Sequence, residues 1–254
     1  MSLQSLLERF TSQLHPNEKC IQSSLWCLPV HTIQVTYKPV LRRQMDILMK
    51  MLLISVQKVP FKTVSQISEI LLVEDLFVHD LLSKMERMGL ILRDEQGFQI
   101  TKKGKAQLES GIYEEDQDST STELLFSASH KSFLSGDLEE VLEYEDFPET
   151  IFRYYEQKEH PTIPNENLLE EIRKLSTMDQ LEGETTNPIF INSVDEIEYQ
   201  QINDIPCVEM IIYDENKDII FTRIWNTLLN EWDEVLEKII TTKEGQTWKE
   251  QLLI

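Results

Sequence analysis

The spacing of apolar residues changes period several times along this chain, and each change predicts an element. Residues 2–14 read as a short amphipathic helix. Over residues 31–40, Ile33, Val35 and Tyr37 alternate with Thr32, Gln34 and Thr36, the period of a half-buried strand. After Pro39 the period lengthens. Leu41, Met45, Leu48, Met49, Leu52, Leu53 and Val56 fall on one face of a helix. Thr63 is placed to cap a short helix, and Gln66, three residues on, completes a capping box. A further helix is expected over 74–88, where Phe77, Leu81, Met85 and Met88 recur at helical intervals beside Leu82, and Gly89 ends it. Residues 90–92 and 98–101 predict two short strands around the turn 93–97, and 102–109 open another helix.

The second half is patterned differently. Residues 113–122 (YEEDQDSTST) are acidic and nearly free of apolar side chains, so they read as a linker or solvated loop. Leu124, Leu125, Phe126 and Phe133 form an apolar patch after it, placed to strap the chain back onto the first domain. Residues 137–149 carry Leu138, Val141, Leu142 and Phe147 among carboxylates, the pattern of a short amphipathic helix. Pro161 and Pro164 mark a boundary, and Asn165 is placed to cap a helix over 166–178. Strands are expected at 188–191 and 196–200, and a hairpin joins 207–213 to 218–225. A last amphipathic stretch puts Trp225, Leu228, Leu229, Trp232, Leu236 and Ile239 on one helix face, with Trp248 packing near the end. The fold class is α+β. The expected division is an N-terminal domain over 1–112, an acidic linker with a short helix over 113–165, and an acidic α+β domain over 166–254.

The order helix, helix, helix, two-stranded hairpin over about residues 40–112 resembles the winged-helix form of the helix-turn-helix superfamily. The residues that carry the resemblance are Met85-Glu86-Arg87-Met88-Gly89-Leu90-Ile91, then Gly97-Phe98-Gln99-Ile100-Thr101, then Lys103-Gly104-Lys105. The resemblance implies that the helix over 74–88 occupies the recognition position, and that the domain serves either DNA binding or protein assembly. A DNA reader presents polar or basic groups at the start of that helix. Here the first turns offer Glu74, Asp75, His79 and Asp80, and the wing tip adds Asp94 and Glu95 beside Arg93.

Charge sharpens the choice. The chain has 254 residues with 24 Lys and Arg against 45 Asp and Glu, a formal net charge of -21. Residues 1–110 hold 14 basic and 11 acidic side chains, and residues 111–254 hold 10 and 34. That balance argues against the whole chain lying along a nucleic-acid backbone or an anionic membrane. Basic residues cluster at Lys38, Arg42 and Arg43, with Lys50 beyond, and again at Lys102, Lys103 and Lys105. These are the candidate phosphate contacts. No apolar run reaches the roughly 18 residues of a membrane span, and the N-terminus lacks a signal peptide's pattern, so a cytoplasmic location is expected. Cys20, Cys27 and Cys207 are odd in number and widely spaced, which fits reduced core thiols.

Catalytic signatures are sparse. Ser127-Ala128-Ser129-His130 lacks the glycines of a nucleophile elbow, and Glu209 is not followed by the lysine of a restriction-like nuclease. With only 7 glycines and no Walker A or dinucleotide fingerprint, no cofactor is expected. Met45, Met49, Met51, Met85 and Met88 are mostly at core spacing. Two functions fit. The first is a non-enzymatic interaction protein, an adaptor or accessory subunit that binds a protein partner or itself. The second is a DNA-binding regulator touching duplex DNA through Lys38, Arg42, Arg43, Lys102, Lys103 and Lys105, with an acidic half that senses a ligand or dimerises.

Overall fold

The structure is a computed structural model and describes residues 2–145, 147–156, 160–182 and 189–252. In chain order the elements are α1 (Leu3–Ser12), β1 (Glu18–Gln44), α2 (Ile47–Lys58), α3 (Val64–Leu71), α4 (Asp75–Arg87), β2 (Ile91–Asp94), β3 (Gly97–Ile100), α5 (Lys102–Ser110), β4 (Ile112–Asp116), β5 (Thr120–Ser127), β6 (Ser132–Leu134), α6 (Leu138–Leu142), α7 (Asn165–Glu182), β7 (Ile189–Asp214), β8 (Ile219–Asn226), β9 (Glu231–Trp232) and α8 (Glu234–Leu252). The fold is α+β, as the pattern predicts.

Two strands are much longer than the alternation suggests: β1 has 27 residues and β7 has 26. They are sheet neighbours in the order β6-β5-β1-β7-β8-β9, with β4 pairing β1 off that path. Gln200 bonds Gln34, Asn203 bonds Thr32, and Glu209 meets Trp26. Numbers rising on one strand fall on the other, so β1 and β7 run antiparallel. Chain contacts group the molecule into two compact units. Unit 1 is Met1–Val35, Thr122–Ile163 and Ile197–Ile254; unit 2 is Thr36–Ser121 and Pro164–Glu196.

Unit 1 is built on the period of two in β7. Cys207 and Ile211 face a core with Trp26, Leu28, Ile224, Leu236 and Ile240. Val208, Met210 and Ile212 face the other way, under Leu3, Leu6 and Phe10 of α1. The expected hairpin is present. Asp214 pairs with Ile219, and the Asp214 carboxylate accepts from the Asn216 and Lys217 amides at 2.9 and 3.3 Å. Trp225 departs from expectation. It sits in β8, not on a helix, and packs against Phe10 (tilted) and Trp232 (edge to face) at centroid distances of 4.9 and 5.4 Å. The helix begins only at Glu234, because the chain first turns and returns as β9. The apolar patch after the acidic stretch forms the β5–β6 hairpin, where Phe126 meets Phe133 at 5.4 Å. Cys27 and Cys207 are buried free thiols and Cys20 is half-buried. Burial, with Asp204 nearby, pushes the Cys27 thiol up to about 12.

Unit 2 packs Met49, Leu52, Leu53 and Val56 of α2 against Ile67 of α3, Val78, Leu82 and Met85 of α4, and Leu90, Ile91 and Phe98 of the hairpin. Thr63 and Gln66 form the expected capping box. Helix α2 starts later than the apolar spacing suggests. Residues 41–44 stay extended and pair with β4, and Asp46 caps the helix by accepting from the Met49 amide at 2.7 Å. Residues 113–116, part of the stretch read as a linker, are strand β4, and β5 begins at Thr120. Helix α7 runs from Asn165 to Glu182 and buries Leu168 and Ile172. Helix α6 covers only 138–142, capped by Asp137. Of the strand expected at 188–191, residue 188 lies outside the described residues.

Candidate functional site

The six basic candidates all belong to unit 2, but they do not form one cluster. Lys38 is exposed on β1. Arg42 and Arg43 lie at the end of that strand, opposite Glu114 and Tyr113 of β4. The Arg42 Nε donates to Glu114 at 2.9 Å, and the guanidinium lies over Phe190 at 4.0 Å. The Arg43 Nε is 3.6 Å from Glu115, which also meets Lys84 at 3.4 Å. Both arginines, with Lys50 and Phe190, line a cleft of about 540 Å³ that reaches Ser110 and Gly111 at the C-terminal end of α5.

Lys102, Lys103 and Lys105 are exposed in the first turn of that same helix. A helix of 9 residues is about 13 Å long at the usual rise, so these lysines stand at the end of α5 away from the cleft. Gly104 between them is a packing requirement: a Cβ there would lie 2.1 Å from the Leu90 carbonyl oxygen.

The turn between α3 and α4 presents a different surface. Helix α4 buries Val78, Leu82 and Met85, with Met88 buried just beyond it and Leu81 half-buried; of the expected stripe only Phe77 is left outside, and Val78 takes its place in the core. Leu72 is 91% exposed, Leu76 70%, Phe77 66% and Ile70 60%. Leu72 ends α3 in the left-handed region, φ 54°, where glycine or asparagine is the usual residue. Exposed Glu69, Glu74, Asp75 and Asp80 lie along the same turn. The Asp75 carboxyl is held below its ordinary value by hydrogen bonds from Ser68 and Ser65.

Unit 1 holds two buried polar networks. Ser127 Oγ and His130 Nδ1 share a hydrogen bond of 2.7 Å, and His130 Nε2 lies 2.9 Å from Asp233. Asn226 donates to Asp233 at 2.8 Å, and the Asp233 carboxylate caps α8 through the Leu236 amide at 3.1 Å. Burial pushes the Asp233 carboxyl up, but the His130 hydrogen bond and charge, with the Asn226 and Leu236 donors, hold it below its ordinary value. The order Ser–His–Asp is that of a hydrolase relay. Ser127, however, is 0% exposed, and its oxygen also accepts from the His130 amide within the same turn. The hydroxyl is closed off from solvent. The arrangement staples the β5–β6 hairpin to the start of α8.

In the second network Arg153 grips Glu209 with both Nη atoms, at 2.8 and 2.9 Å, and its Nε meets Glu244. The Trp26 indole donates to Glu209 at 2.5 Å. Glu209 occupies a core-facing position of β7, and these partners compensate the buried charge. Burial works against the Arg153 charge, and the two carboxylates outweigh it and raise the guanidinium pKa.

Sequence reasoning missed Leu72, Leu76, Ile70 and Phe190. Leu72 carries no periodic signal because it lies in a turn, and Phe190 stands apart from any basic run. His79 is exposed, its Nδ1 3.7 Å from its neighbour Asp80. Among the described residues no three His, Cys, Asp or Glu side chains group as metal ligands. Comparison with known proteins returns no match among family models, curated proteins or solved structures.

Proposed function

We propose that residues 40–112 are a winged-helix module, and that the protein is a non-enzymatic interaction protein, an adaptor or accessory subunit, which docks a protein partner on the α3–α4 turn. The observation that carries this is the exposure of Leu72, Leu76 and Phe77 where a DNA reader would present polar groups. Burying a Leu or Phe side chain stabilises by about 1.5–3 kcal/mol, so leaving three in water forgoes a large gain unless a partner covers them. Leu72 in addition holds a backbone conformation that costs a non-glycine residue about 1–2 kcal/mol. The carboxylates along the turn repel phosphate. The order of α2, α3, α4, the β2–β3 hairpin and α5 supports the winged-helix part of the reading.

The alternative, a DNA-binding regulator, is favoured by one observation: Lys102, Lys103 and Lys105 are exposed, with no carboxylate within ion-pair distance among the described residues. The test has two arms. Full-length protein is titrated against labelled duplex DNA across a salt series, and no binding at low salt is expected. Binding that falls steeply with salt and disappears on charge reversal of the three lysines decides for the regulator. In the second arm, wild type and the Leu72→Ser/Phe77→Ser double variant are compared for the proteins they retain. An identical set from both overturns the docking site.

A further inference from the structure

The cleft at the end of β1 is not explained by docking on the α3–α4 turn. Its lining brings together Arg42, Arg43, Lys50, Gln44, Gly111 and Phe190, with no carboxylate among the lining residues of a chain that is strongly acidic overall. We infer that this cleft binds a small phosphorylated molecule that carries a planar ring, a nucleotide by chemical class.

The hydrogen bond from Arg42 to Glu114 uses Nε, and Arg43 approaches Glu115 through Nε as well. Glu114 therefore orients the Arg42 guanidinium and leaves its Nη pair for a ligand, while Arg43, the next residue of the strand, turns its side chain to the other face beside Glu115 and Lys84. A planar fork of this kind matches phosphate oxygens two at a time. Lys50 supplies a second cation and has no ion-pair partner among the described residues. Gly111 lies beside it at the last turn of α5: a Cβ there would only touch the Lys50 Nζ, at 3.5 Å. The ring requirement comes from Phe190. Arg42 already stacks on it at 4.0 Å, so a flat ligand extends an existing cation–π stack. A volume of about 540 Å³ falls within the range of small-molecule sites.

Calorimetric titration of the full chain at low ionic strength, with ADP, inorganic pyrophosphate and adenosine as probes, tests the assignment. ADP is expected to bind more tightly than pyrophosphate, and adenosine not at all. Lys50→Gln is expected to weaken ADP at least about tenfold, because the phosphate loses a charged donor. Phe190→Ala is expected to weaken ADP while leaving pyrophosphate unchanged. Lys102→Gln, at the other end of α5, is expected to change neither. Circular dichroism and melting establish that each variant is folded. Absence of ADP binding at millimolar concentration overturns the site. So does equal loss from Lys102→Gln and Lys50→Gln, which would report general charge attraction. Equal affinity for ADP and pyrophosphate overturns the ring requirement.

Discussion

Removing the Asp233 carboxylate tests whether the buried network of unit 1 is structural. In wild type this group faces His130 at 2.9 Å, accepts from Asn226 at 2.8 Å and caps α8 at 3.1 Å, and it is 2% exposed. Asp233→Ala strips all three at once. The lost cap costs about 1 kcal/mol. The His130 Nε2 and the Asn226 amide become buried donors without acceptors, at about 1–3 kcal/mol each. The total is expected near the ~3–5 kcal/mol usual for a broken buried pair. Urea unfolding followed by tryptophan fluorescence reads this directly, because Trp225 and Trp232 lie in the same unit.

Two companion measurements make the reasoning vulnerable. His130→Ala and the double variant complete a cycle, and the two losses should fall short of additivity by at least about 1 kcal/mol. The pH dependence has a fixed sign. The folded-state pKa of Asp233 lies below the ordinary aspartate value of 3.8, so its contribution is fully present above that pH and is lost as pH falls through the lower folded value. The gap between wild type and Asp233→Ala should therefore be constant from pH 7 to about 5 and shrink below about 4. A loss under about 1 kcal/mol at pH 7, or a gap that widens in acid, refutes the account.

Three further outcomes follow from the geometry. Leu72→Gly relieves the left-handed backbone at the end of α3 and should leave stability unchanged or raise it by up to about 1 kcal/mol in urea unfolding, whereas a clear loss would mean that Leu72 packs. Gly104→Ala drives a Cβ onto the Leu90 carbonyl oxygen and should cost about 1–3 kcal/mol of unit 2 stability, with a neutral result excluding that close approach. Glu209→Gln keeps the shape but removes the charge that Arg153 and Trp26 share, so a destabilisation of about 1–3 kcal/mol is expected; unchanged near-UV dichroism together with unchanged stability would exclude the network as a support of the sheet.

What was legible in the sequence was local. Thr63 with Gln66 and the turn at Asp214 are set by neighbours a few residues apart, and both form as their chemistry predicts. The apolar stripe of α4 was legible through Leu82, Met85 and Met88 but not in its first turn, because Phe77 and Val78 are equally apolar and only the packing of unit 2 decides which faces inward. The lengths of β1 and β7 were not legible, since a strand persists as long as a neighbour pairs it, and that neighbour lies far away in sequence. The same holds for Trp225: its spacing with Leu228 and Trp232 fits a helix, but pairing of β8 with β7 holds it extended. Ser127, His130 and Asp233 meet only through the fold, the histidine and its carboxylate being 103 positions apart in sequence.

The charge split near Gly111 separates two segments that pair as neighbouring strands. The basic segment that ends β1 and the acidic segment that follows α5 carry opposite signs, which on composition alone marks a change of domain. The register places Arg42 directly across from Glu114. Opposite charges facing each other on adjacent strands stabilise pairing. The acidic run at 114–116 is thus complementary to the basic end of β1, and its abrupt change of sign is what a strand needs in order to pair there. It also sets how Arg42 works. The Glu114 carboxylate on the Arg42 Nε fixes that guanidinium plane without consuming its Nη donors, whereas an unpaired arginine on a strand end would sample many rotamers at an entropic cost on binding. The acidic segment therefore does not cancel the basic cleft. It orders it.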